Sequence, residues 1–104
     1  MSNNRFSAGC LNEVLFADET ISKVTHDGPV GTIVPITLND PLYSGPGWHK
    51  WQTENIKHSW NRETNVVYVF RIQIHYMYND NTRVIQQVKF KNSFEYGCLG
   101  IKQN

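Results

Sequence analysis

The most regular hydrophobic pattern in the chain is the run VVYVFRIQIHYMY at 66–78. Its even positions, Tyr68, Phe70, Ile72, Ile74, Tyr76 and Tyr78, are all apolar or aromatic, and its odd positions include Arg71, Gln73, His75 and Met77. A period of two places these sets on opposite faces of a β-strand. Asn79-Asp80-Asn81-Thr82 follows and reads as a turn, because Asn and Asp tolerate positive φ and hydrogen-bond their own backbone. The run RVIQQVKFK at 83–91 then returns as the second strand of a hairpin. Val84, Val88 and Phe90 are expected on one face of that strand, and Gln87, Lys89 and Lys91 on the other.

The N-terminal part has a different period. Residues 8–24, AGCLNEVLFADETISKV, set Leu11, Val14, Leu15, Ile21 and Val24 near one helical stripe. Ser7 is the expected N-cap, with Glu13 and Asp18 on the polar side. HDGPVG at 26–31 breaks the helix. TIVPITL at 32–38 is short and β-branched, and Pro35 has no N–H for a ladder, so it reads as an edge strand or an extended arm. NDPLYSGPG at 39–47 is a loop. Trp48 to Thr53 is extended, and Ile56 to Thr64 reads either as a further strand and turn or as a short helix. Together these elements predict an α+β fold, with an N-terminal helical segment packed on a twisted antiparallel sheet of three to five strands.

At 104 residues, 1–104 is expected to form a single domain. Charge divides it. Residues 1–45 carry two cations against five carboxylates, a net of −3, and residues 46–104 carry eight against four, a net of +4. The first part is acidic and helical or extended; the second is a basic antiparallel sheet. This asymmetry points the second half towards a polyanion or an acidic partner, or else to two solvated faces that offset each other. No apolar run reaches the ~20 residues of a membrane-spanning helix, so no membrane insertion is expected. Met1 to Asn12 has no apolar h-region, so no signal peptide is expected. Cys10 and Cys98 read as buried free thiols; in an oxidising compartment they could instead close one long loop.

Chemistry concentrates on the polar face of the hairpin. Arg71, Gln73 and His75 on one strand, beside Lys89 and Lys91 on the next, make a cationic surface with a titratable imidazole inside it. Metal-independent cleavage of RNA needs these parts: a group to take the 2′-hydroxyl proton, one to protonate the leaving 5′-oxygen, and cations for the phosphorane. A solvated outer face explains the same residues without any ligand. Trp48, His49, Lys50 and Trp51 form a second cluster, suited to stacking a base and holding a phosphate, although one of the two Trp residues is expected in the core. The four histidines show no metal-ligand spacing, and no Walker loop or nucleophile elbow is present, so neither a metal nor another cofactor is expected.

PGWHKW at 46–51, IQIHYMYNDNT at 72–82 and VKFKN at 88–92 resemble a C-terminal toxin module of bacterial polymorphic toxins, found at the ends of contact-dependent inhibition and rearrangement-hotspot proteins. Its members often carry a Gly-Trp-x-Lys segment, an Ile-His-Tyr strand ending in Tyr-Asn, a turn, and an Asp-Phe-Lys-Phe strand. The resemblance covers Pro46 to Asn92 and marks Trp48, Lys50, His75, Tyr76, Lys89 and Lys91. Gln87-Val88 stands where the acidic residue would be, Asn55 to Arg71 is longer than the usual connection, and residues 1–45 have no counterpart. It implies a ribonuclease with a barnase- or colicin-like fold.

The expected function is therefore a small endoribonuclease toxin acting on RNA in the cytoplasm, resident there or delivered to a target cell, with a cognate immunity protein as a further partner. His75, Lys89, Lys50 and Arg71 would be catalytic. Trp48, His49, Tyr76, Lys91 and Gln73 would bind substrate, with Trp48 or Tyr76 stacking a base and His49 in reserve as a second proton-transfer group. The alternatives are a non-catalytic binding module on the same aromatic-basic face and a protein-interaction or inhibitor protein.

Overall fold

A computed structural model describes residues 10–91 and 98–103. One helix, α1 (Leu11–Asp27), packs on a five-stranded antiparallel sheet that does not close. The strands are β1 (Thr32–Ile33), β2 (Trp48–Asn61), β3 (Val66–Asn79), β4 (Val84–Phe90) and β5 (Ile101–Gln103). The order is β1-β2-β3-β4, and β5 pairs with β3 at Val67–Val69, beyond the end of β4. The expected α+β architecture is present, with the ambiguous stretch after Thr53 continuing β2 as far as Asn61.

The alternation along β3 sorts as the sequence implies. Ile72, Ile74, Tyr76 and Tyr78 are buried and form the core with Phe16, Ala17 and Val24 of α1 and with Ile85 and Val88 of β4. Tyr68 does not join them; it is exposed at the far end of the strand, past the reach of the helix. There β2 and β3 run on as a ribbon whose Ile56 and Trp60 are also exposed.

The helix faces the sheet on a stripe that keeps the expected Ile21 and Val24 but not Leu11 and Leu15. Glu13, Phe16, Ala17, Thr20 and Val24 are buried, while Leu11 and Leu15 are exposed. The 3.6-residue period holds, but Phe16 and Ala17 set its phase: an aromatic ring beside a small residue lets the helix sit close to the sheet. Glu13, expected on the polar side, is thereby carried inward. The expected Ser7 cap lies outside the described residues. Cys10 occupies the N-cap position and is disulfide-bonded to Cys98, so the two are not free thiols.

From the end of α1 the chain rounds the β2 edge of the sheet. The hydroxyl of Tyr76 donates to the Val30 carbonyl and accepts from the Val30 N–H at 2.8 Å, which anchors the chain beside the helix. Burial pushes the Tyr76 hydroxyl up to about 12, so it stays protonated and able to donate. Tyr76→Phe removes both bonds and is expected to cost about 1–3 kcal/mol in urea denaturation, because the Val30 groups lose their partner. A loss under about 0.5 kcal/mol would show that water satisfies them equally well.

After Val30 come the two residues of β1, and then the Val34 N–H donates to Lys50 O at 2.7 Å. Pairing stops at Pro35, as its missing N–H requires. Residues 36–40 cross the opposite face of the sheet as an unpaired strap, ended by a short 3-10 turn at Pro41–Tyr43 that Asp40 caps through Leu42 N at 2.9 Å. The start of β2 is tied to the hairpin turn. Asn79 donates to Pro46 O at 3.2 Å and accepts from Asn81 and Thr82 N–H at 2.8 and 3.0 Å. Gly47 adopts φ 91° there, and a Cβ on it would lie 2.7 Å from Asn79 Oδ1.

Candidate nucleic-acid interface

The sheet has the helix on one face and the strap on part of the other. Cross-strand partners share a face. Register therefore assigns Lys50 (opposite Met77), His75 (opposite Gln52 and Lys89) and Gln73 (opposite Glu54) to the strap face. Lys91 follows directly, its N–H donating to Gln73 O at 2.9 Å. Three ammonium groups thus gather round one imidazole, contributed by three adjacent strands.

Their mutual influence is visible in their acidities. Burial, then Lys50 and Lys91, push the His75 imidazole below its usual 6.5. Burial, then Lys91 and Lys89, push the Lys50 ammonium below its usual 10.5. His75 Nδ1 is buried and makes no hydrogen bond among the described residues. A cavity of about 160 Å³ opens beside it, between the strap and the Lys50, His75 and Lys89 side of the sheet. A shallower groove of about 590 Å³ lies on the other side of the strap, against Trp48.

The remaining expected site residues scatter. Arg71 is on the same face but four residues along β3 from His75, roughly 13 Å away, and its guanidinium pairs with Glu54 at 3.2 Å. Trp48 stands edge-on to Tyr43, with centroids 4.8 Å apart, at the mouth of the larger groove. His49 pairs with Tyr78 in register, which puts it on the helix face, where its ring lies 3.6 Å from Asp80. It therefore cannot be the second proton-transfer group beside His75. Tyr76 corrects a further expectation: it is 1% exposed on the helix face, so it is a core residue and stacks no base. Trp51, its register partner, is half-buried and packs against the same core, so it is the one of the two tryptophans that joins it.

One feature of this face departs from the period of two. The β3–β4 register shifts between His75 and Met77, where β4 bulges at Gln87 with φ 51°. The bulge reverses the phase of β4, so Ile85 enters the core and Val84 lies with Asn79 on the other face, against the expectation for Val84. A signal was present in RVIQQVKFK: its core positions change from odd (Ile85) to even (Val88 and Phe90) across the two glutamines.

Comparison with known proteins finds no matching family model, curated protein or solved structure. The functional reading therefore rests on the chemistry of this face.

Proposed function

We propose that the protein is a small metal-independent endoribonuclease of toxin type. The observation that carries this reading is the cluster of Lys50, Lys89 and Lys91 around the half-buried His75. Held largely neutral at pH 7 because burial and the neighbouring lysines disfavour its protonated form, His75 can take the proton from a ribose 2′-hydroxyl. The freed oxygen attacks phosphorus, and the bond to the 5′-oxygen breaks. The Lys50 ammonium, made more acidic by burial and then by Lys91 and Lys89, gives that oxygen its proton. Lys89 and Lys91 hold the non-bridging oxygens as charge builds on them. The products are a 2′,3′-cyclic phosphate and a 5′-hydroxyl. The positive charge that the phosphorane needs comes from side chains, so EDTA should not stop the reaction.

Delivery to the cytoplasm of a target cell, with a cognate immunity protein covering the cationic face in the producer, completes the proposal. The Cys10–Cys98 disulfide fits passage through an oxidising space.

A second reading is a binding module that holds RNA without cutting it. It is favoured by the shortage of imidazoles: the next on this face, His58, is six residues along β2 from the partner of His75, roughly 20 Å away. Purified protein incubated with total RNA in EDTA separates the two. Cleavage with cyclic-phosphate ends supports the nuclease, whereas retention on RNA without scission supports the module. Both readings predict salt-sensitive binding. Three lysine–phosphate contacts on a single strand give a slope of roughly −2 in log K against log salt. A slope near zero in a fluorescence titration would exclude both.

A further inference from the structure

The cavity beside His75 is too small for a whole nucleotide. Sites for drug-sized ligands span ~300–1,000 Å³, and this one offers about 160 Å³. That is room for about five waters by their share of the liquid, enough for one planar heterocycle with its phosphate left outside. Its walls suit such a ring. Leu38, Tyr43 and Met77 are among its lining residues and bring apolar surface, and Asn39 and Gln87, each with a side-chain amide, stand on its boundary. An amide both donates and accepts, the combination that reads the polar edge of a base.

The backbone at Gln87 points the same way. It lies in the left-handed region at φ 51°, where a non-glycine residue is uncommon, and it is the extra residue of the β4 bulge. Glycine would satisfy that backbone more easily, yet the position carries a side chain with a hydrogen-bonding end. Bulges of this kind re-aim a side chain beside a site. Here the bulged residue lines the cavity, two residues from Lys89.

We infer that the cavity between the strap and β4 is a nucleobase subsite in which Gln87 sets base preference, with the attached phosphate lying on Lys50, Lys89 and Lys91. The inference rests on the ribonuclease reading for its substrate, and it adds specificity for the nucleotide next to the scissile bond. The strap supplies one wall through Leu38 and Asn39, so the subsite exists only where the chain crosses the sheet.

The test is equilibrium binding of the four ribonucleoside 3′-monophosphates and of inorganic phosphate, read by calorimetry, and it does not depend on cleavage. The parent protein is expected to separate the four nucleotides by about fivefold or more. Gln87→Gly keeps the left-handed backbone and deletes the amide. It should bring the four within about twofold of one another while leaving phosphate affinity unchanged. Gln87→Asn, which also tolerates that backbone, should keep part of the preference. Equal binding of the four by the parent, binding no tighter than phosphate alone, or a preference that survives Gln87→Gly overturns the inference. Base-dependent binding with no RNA cleavage would leave the subsite standing and remove the nuclease; cleavage with no base-dependent binding would do the reverse.

Discussion

His75→Ala is expected to lower RNA cleavage by about 10³-fold, within the range attributed to a general acid or base, while RNA binding weakens by less than about threefold. The two readouts separate because the lysines hold the phosphates and the imidazole moves the proton. The rate should also report the acidity of the ring. As pH falls His75 gains a proton and can no longer act as a base, so the acidic limb of kcat/KM is expected below 6.5. Lys50→Gln removes one of the positive charges that disfavour protonation. The limb should then move to higher pH, as well as the rate falling with the loss of the proton donor. An alanine variant that cuts as fast as the parent would take His75 out of the chemistry. A limb that stays put in Lys50→Gln would mean that the ammonium does not act on the ring.

The second large effect is on stability. Cys10 and Cys98 are 88 residues apart, with Cα atoms at 5.5 Å, so their bond ties the start of the helix to the segment leading into β5. A loop of that length restricts the unfolded chain by about 4–5 kcal/mol. That is a large share of the ~5–15 kcal/mol by which a domain of this size is folded. Cys10→Ser, or dithiothreitol on the parent, is therefore expected to lower the melting temperature by at least about 15 °C. Identical melting curves in oxidised and reduced protein would show that the cross-link does not constrain the unfolded chain. The consequence reaches function: a nuclease of this kind would be most robust outside reducing compartments and weakest once inside one.

Much of the fold is legible in the chain because β3 is a half-buried strand of fourteen residues. Once one face of such a strand must be buried, its alternation assigns every residue to a side. Arg71, Gln73 and His75 were placed correctly for that reason, as were Lys89 and Lys91, which stand after the bulge and keep the phase of the strand end. The stripe on α1 was harder. A helix with scattered apolar residues offers two adjacent faces, and the choice between them depends on which one fits the sheet. Tyr76 shows a different limit. An aromatic residue with a hydroxyl looks the same in a sequence whether it stacks a base or binds a buried carbonyl, and only its face and the position of Val30 decide.

By itself, then, the sequence determined the helix, the β3–β4 hairpin and the separation of aromatic from cationic side chains, because each follows from the spacing of residues along one element. The tertiary structure alone decided the rest. It brought Lys50 next to His75 through the pairing of β2 with β3, sent His49 to the other face by the same register, closed the Cys10–Cys98 bond, and laid the strap over β4 to make a cavity at Gln87. These are contacts between segments distant in the chain. Their geometry depends on strand register, one bulge and the path of a loop round a sheet edge, none of which has a period to be read along the chain.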